Sequence, residues 1–169
     1  SYGITLQLLV VIGMLAGVVT RVYMPKIFQW RVEGRLDLIK QKFYLSSVVM
    51  LVIFILSGII IVLWGDLMLN LLKSSTMLLP TGLLILVFVQ HYLEYNHSNA
   101  AQYLLSRNEV PFFKASLVSA VGVLILLGVF VVWLDMGMLG MILAPMIVQA
   151  FYQNWKWPLE VVRELRVKK

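Results

Sequence analysis

Five stretches of 20 or more consecutive residues without Asp, Glu, Lys or Arg constrain the fold of this chain more than any other feature. They cover residues 1–20, 43–65, 74–93, 115–134 and 136–155. A helix of about 20 mostly apolar residues spans the roughly 30 Å hydrocarbon core of a bilayer, so each stretch can cross once. Because hydrocarbon offers the backbone no hydrogen-bond partner, each crossing must be a helix or part of a closed barrel. The unbroken apolar runs exclude the alternating pattern of a barrel strand.

We therefore predict an all-α membrane bundle, a single transmembrane domain with five helices. The predicted spans are residues 3–22, 43–64, 77–103, 112–134 and 138–157. Composition agrees with this prediction, because charged residues make up only 13% of the chain, about half of the roughly 25% typical of soluble proteins. The absence of cysteine excludes a disulfide framework and a cysteine-ligated metal site.

Glycine and proline predict details of these spans. Gly13 and Gly17 have the small-xxx-small spacing that allows close helix approach, although ordinary glycine content of a membrane helix explains them equally well. Pro25 is predicted to end the first helix, and residues 27–39 then form a short amphipathic surface helix or a solvated loop. Pro145 is predicted to kink the fifth span. After Pro158 we expect a short, solvated charged helix in which Glu164 and Lys168 have favourable i,i+4 spacing.

The basic residues predict the orientation of the bundle. Thirteen of the 14 lysines and arginines follow the first, third or fifth span, and only Lys73 lies on the other side. The positive-inside rule makes their side cytoplasmic, so the carboxyl terminus is predicted inside and the amino end outside. A net charge of +6 could also indicate nucleic-acid binding. These residues do not gather on one solvated face among polar neighbours, however, so no nucleic-acid partner is expected.

The third span turns abruptly polar in its second half. At 100° per residue, one face about 120° wide is predicted to carry Gln90, His91, Glu94, His97 and Ser98. An opposite stripe carries Tyr92, Asn96, Asn99 and Tyr103. A helix polar on both sides cannot face lipid over this length. Glu94 is expected roughly 9 Å inward of mid-bilayer, where a charge costs several kcal/mol unless it is protonated, paired or beside water.

We interpret this half-helix as lining a hydrated cavity open to the cytoplasm, with Glu94 as a titratable or cation-binding group. The alternative is that the helix emerges among the inner headgroups, where water solvates its polar residues. Arg21 closes the first span, where it could bind phosphate through bidentate hydrogen bonds or anchor the helix at the interface. The candidate cavity-lining residues are Glu94, Gln90, His91, His97, Asn96, Asn99 and Arg21.

No residue pattern indicates an enzyme. There is no glycine-rich phosphate loop, no Ser/His/Asp spacing and no HExxH motif. His91 and His97 lie about 120° apart around the helix, so one metal ion could hardly bind both. We therefore expect no catalytic residues, no metal and no cofactor.

The order of helices and loops resembles a known family. The features that carry the resemblance are Pro25 before a basic loop with Gly34 and Lys40, the sequence Trp64-Gly65-Asp66, the loop 105–111 and the Gly137-Met-Leu-Gly140 turn. Together they resemble the carboxyl-terminal half of bacterial polysaccharide (O-antigen type) flippases of the multidrug, oligosaccharidyl-lipid and polysaccharide exporter superfamily. The resemblance covers essentially the whole chain.

This resemblance implies a two-lobed, alternating-access transporter in the bacterial inner membrane. Its substrate would be a lipid-linked oligosaccharide, and its partners would be membrane lipids and an amino-terminal half of the same, longer chain. The cavity of the family tends to be cationic, whereas the third span here offers Glu94, so coupling-ion binding or hydrogen bonding to sugar is the better role for its polar face. The alternatives are a cation-coupled multidrug exporter and a non-transporting scaffold subunit; a membrane enzyme for lipid-linked sugars ranks last.

Overall fold

The computed structural model describes residues 2–71, 73 and 76–166, and all regular secondary structure in these ranges is helical. The helices are α1 (Tyr2–Ala16), α2 (Val18–Val32), α3 (Leu36–Leu71), α4 (Thr81–Leu105), α5 (Phe113–Leu127), α6 (Gly137–Phe151) and α7 (Gln153–Arg166). A six-residue π-helical segment, Gly128–Trp133, continues α5. The predicted all-α class is confirmed. The expected Glu164–Lys168 pair lies outside the described residues because Lys168 is not among them.

Two helices are long and apolar enough to cross a membrane. They are α3 and the continuous helix Phe113–Trp133, and α1 with α2 forms a third if this pair, bent by 41°, is one span. In the described ranges, α4 and α6 do not meet this criterion. The second half of α4 is too polar, and α6 ends after 15 residues. The structure therefore supports two or three of the five predicted crossings.

The first predicted span does not end at Pro25. α2 runs through Pro25 to Val32, and the bend occurs earlier, where Gly17 joins α1 to α2. A proline inside a helix removes one backbone hydrogen bond. Burial of the neighbouring Ile27, which is fully inaccessible, favours continuation of the helix. The prediction of a separate surface helix or loop over residues 27–39 is also wrong: these residues belong to α2 and α3, which Gly34 joins in a left-handed conformation (φ 70°).

The predictions for the carboxyl-terminal part also need correction. α6 continues through Pro145, where the kink stays a prediction, and the chain breaks at Tyr152 (φ −143°, ψ −55°). α7 begins at Gln153, so Pro158 lies inside this helix and does not precede it. Trp157, Val161 and Leu165 recur at i, i+4 and i+8 and are buried. The tail therefore packs against the bundle through one apolar face.

α4 is the central helix, and two hydrophobic clusters lie along it. The first joins α4 to α1, α3 and α6 through residues that include Leu9, Met50, Phe54, Val87 and Ile142. The second joins it to α2, α3 and α7 through residues that include Ile27, Phe43, Tyr103, Trp157 and Val161. No side chain from position 90 to 107 is exposed. The polar half of α4 is thus at least partly covered by other helices along its length.

Candidate functional site

A polar groove of about 440 Å³ lies between α1 and α4, and we call it the α1–α4 groove. Its polar lining comes from Arg21, His91, Glu94, Tyr95, Ser98, Asn99 and Gln102. Its apolar lining includes Val10 and Met14 of α1 and Met50 of α3. Four of the seven candidate residues, Arg21, His91, Glu94 and Asn99, therefore meet in one hollow.

Glu94 is the acidic residue of this groove. Its side chain is half-buried and accepts a 3.1 Å hydrogen bond from Nε2 of Gln90, which lies one turn earlier on α4. None of the ion pairs among the described residues involves Glu94. The carboxylate therefore has room for a further partner from the groove, because an ionised carboxylate has about four acceptor positions.

Arg21 is the basic residue of the groove and comes from α2. Its guanidinium donates a hydrogen bond to the backbone carbonyl of Met14, across the bend between α1 and α2. A guanidinium has five N–H donors, so this bond leaves others for a ligand. The geometry places a cation and an anion from two different helices in the same hollow.

Gly13 determines how closely α1 approaches α4. A Cβ atom at this position would overlap the ring of Tyr95, so only glycine allows that ring to pack against the backbone of α1. Gly17 lies at the bend, where the guanidinium of Arg21 passes over it. The close approach predicted from the glycine spacing occurs at Gly13, and Gly17 has a different role.

The groove-facing side of α4 is rotated by roughly 70° from the predicted face. Tyr95 and Gln102 line the groove, although neither was on the predicted face. The glycine spacing of α1 indicated a close helix approach, but it did not indicate which side of α4 would be approached. Gln90 and His97 are buried and do not line the groove. The Nδ1 atom of His97 lies 3.0 Å from Oδ1 of Asn154 on α7 and 3.2 Å from the Leu93 carbonyl. His97 therefore does not line the α1–α4 groove beside Glu94, and a cavity role for it stays a prediction.

Asn99 also serves the packing of the helices. Its side chain is 2% exposed and bonds to Oγ1 of Thr20 on α2 and, at 3.1 Å, to Oγ of Ser46 on α3. Ser46 in turn lies 3.3 Å from the hydroxyl of Tyr103. These four residues form a buried network that links three helices. Asn96 is half-buried and does not line the groove.

A second polar cluster joins α2, the α4–α5 loop and α7. This ion-pair cluster consists of Arg31, Arg107, Lys156, Glu160 and Glu164. Glu164 binds Arg31 and, at 2.6 and 3.0 Å, two nitrogens of Arg107. Glu160 binds Arg107 at 3.1 Å and Lys156 at 3.5 Å. The sequence-based expectation of a solvated tail missed this cluster.

Two opposed effects act on the pKa of Arg107. Burial lowers it, but the hydrogen bonds and charges of Glu164 and Glu160 outweigh burial, and the net pKa is raised. The guanidinium is therefore held in its charged form, and α7 is attached to the α4–α5 loop by charge-assisted hydrogen bonds.

Within residues 2–71, 73 and 76–166, no three His, Asp or Glu side chains are grouped so that they could hold a metal ion. No protein-family model, curated protein or solved structure matches the chain.

Proposed function

We propose that this protein is part of a membrane transporter and that the α1–α4 groove is a section of its solute pathway. The observation that carries the proposal is the placement of Arg21 and Glu94 in one hollow between helices that are otherwise largely apolar. Polar and charged side chains are costly within a membrane and are retained there mainly for ion or substrate passage. Its seven polar side chains, two of them charged, would be costly in a seam that faces lipid.

The proposal includes all five crossings, with the basic loops and carboxyl terminus on the cytoplasmic side of a bacterial inner membrane. Its support is the position of α4, which packs beside the long apolar α3 and has no exposed side chain in its polar half. α6 packs along α5, itself part of a span-length helix. Both helices can therefore lie at membrane depth without exposing polar side chains to lipid.

A lipid-linked oligosaccharide is the substrate class that best suits the groove. His91, Tyr95, Ser98 and Gln102 offer hydrogen-bond donors and acceptors to sugar hydroxyls. Arg21 offers free guanidinium donors to an anionic linkage. Because no catalytic constellation accompanies these groups, we propose movement of the substrate without chemical change.

A cation-coupled exporter is the second candidate, because Glu94 forms no ion pair with the residues described. Both candidates require the carboxylate, but they differ in the solute. In a strain that lacks the chromosomal copy, full-length protein should restore export of surface polysaccharide under the first candidate. Under the second, it should restore resistance to a cationic drug and leave polysaccharide absent.

Replacement of Glu94 by Gln tests the groove itself. The amide keeps the shape of the side chain and removes its charge. We expect Glu94→Gln to abolish export at normal protein abundance, whereas Glu33→Gln, at an exposed carboxylate on the α2–α3 connection, should leave it unchanged. Normal export in the Glu94→Gln variant would rule out a role for the carboxylate and favour a scaffold subunit.

A further inference from the structure

A cleft of about 600 Å³ lies between α5 and α6, and it shares no lining residue with the α1–α4 groove. Its walls are largely apolar, with Val118 and Gly122 on α5 and Val148 and Phe151 on α6. α5 has no buried residue. Phe113–Trp133 is long and apolar enough to cross a membrane, so α5 can present this cleft to lipid.

One end of the cleft is polar. Lys114, in the first turn of α5, is exposed and lines the cleft together with Tyr152, at the break between α6 and α7. Lys114 forms none of the ion pairs found in the described parts of the chain. No acidic residue lines the cleft. Its only formal charge is thus a positive one at the mouth.

The depth of the cleft suits a lipid tail. Gly122 lies eight residues beyond Lys114, or about 12 Å along the helix axis. At Gly122 a Cβ atom would come within 3.3 Å of Val148, so the glycine lets Val148 pack closely against α5 at the end of the cleft opposite Lys114. A ligand in this cleft would place an anionic group at Lys114 and an apolar chain along the wall towards Gly122.

We propose that the α5–α6 cleft binds one anionic phospholipid, with its phosphate at Lys114 and an acyl chain between α5 and α6. Charge complementarity selects this occupant. The phosphate of a zwitterionic lipid is offset by the lipid's own ammonium group, whereas an anionic headgroup has a net negative charge that can pair with Lys114. A second protein helix would fill the apolar walls but would gain nothing from the lysine. The proposal does not depend on the transported solute.

Lipid titration into the full-length protein in detergent tests the proposal, with bound lipid counted by native mass spectrometry. Phosphatidylglycerol should bind more tightly than phosphatidylcholine with the same acyl chains. Lys114→Gln should weaken phosphatidylglycerol binding about fivefold, the factor that corresponds to about 1 kcal/mol per basic residue at a membrane surface. Lys114→Arg should retain the preference, because the charge remains.

Two matched variants separate the cleft from general surface charge. Lys26→Gln removes an exposed lysine of α2 outside the cleft and should leave phosphatidylglycerol binding unchanged. Ser119→Phe places a ring in the cleft and should weaken the binding of both lipids. The melting temperature of this variant should stay near that of the parent. Equal binding of the two lipids, or equal losses in Lys114→Gln and Lys26→Gln, would overturn the proposal. Displacement of the lipid by millimolar glycerol 3-phosphate would also overturn it, since the acyl chain would then be unnecessary.

Discussion

Removal of the charge of Glu164 should weaken the attachment of α7 to the rest of the bundle. Glu164 is 24% exposed and binds Arg31, which is 15% exposed, and Arg107, which is 22% exposed. Exposed ion pairs contribute about 0.2–1 kcal/mol each, whereas loss of one partner from a buried pair costs about 3–5 kcal/mol. Because this cluster is partly buried and one carboxylate serves two arginines, we expect Glu164→Gln to lower the free energy of unfolding by about 2 kcal/mol.

A chain of this length loses about 2–4 °C in melting temperature for each kcal/mol, so the expected shift is about 4–8 °C. The assay is thermal unfolding of purified full-length protein in one detergent, followed by circular dichroism. Glu33→Gln is the matched control, because Glu33 is exposed and, within the described part of the chain, its side chain accepts a bond from Gln29 alone. It should change stability by less than about 0.5 kcal/mol.

A double-mutant cycle refines this prediction. Arg31→Gln combined with Glu164→Gln should give a coupling energy above about 0.5 kcal/mol, as residues in one ion-pair network do. A coupling energy below about 0.3 kcal/mol would show that the ion-pair cluster does not help to hold α7 in place. Equal melting temperatures for Glu164→Gln and Glu33→Gln would show the same.

Two further substitutions test the packing around α4. Gly13→Ala should lower stability by about 1–3 kcal/mol, because its Cβ would overlap the ring of Tyr95 and overpacking costs about this much; a melting temperature equal to that of the parent would show that Tyr95 moves away freely. Asn99→Leu should cost about 1–3 kcal/mol by removing the two bonds of Asn99 to the hydroxyls of Thr20 and Ser46, each worth about 0.5–1.5 kcal/mol, while Asn96→Leu, off the network, should cost less. Chemical denaturation measures both, and equal losses for the two asparagines would refute the role of the network.

The existence of the long apolar helices could be predicted because 20 charge-free residues at 1.5 Å per residue match a bilayer. Their ends could not be predicted as well. α3 has 36 residues, about 54 Å, because its helix continues through Lys40 and Lys42 at one end and Asp66 at the other. Charge marks where hydrocarbon ends, and a helix does not have to end there.

The orientation of α4 shows a second limit of sequence reasoning. A helical wheel gives the angles between side chains, but it does not say which neighbour covers which face. His97 was predicted in the cavity and instead contacts Asn154, because α7 packs on that side. The docking of α7 had a readable signal in Trp157, Val161 and Leu165, whose spacing marks an apolar face. The charged residues between them favoured the prediction of a solvated helix instead.

Water access to the α1–α4 groove is the central claim, and the chain's lack of cysteine makes it directly measurable. Ser98 lines the groove, whereas Ser46 is 0% exposed within the buried network. In full-length protein that still functions, Ser98→Cys should react with a membrane-impermeant thiol reagent from the cytoplasmic side at least about tenfold faster than Ser46→Cys, because thiol reactivity requires access to water. Equal, slow labelling of the two cysteines would mean that the groove is dry, and the transport pathway proposed here would be contradicted.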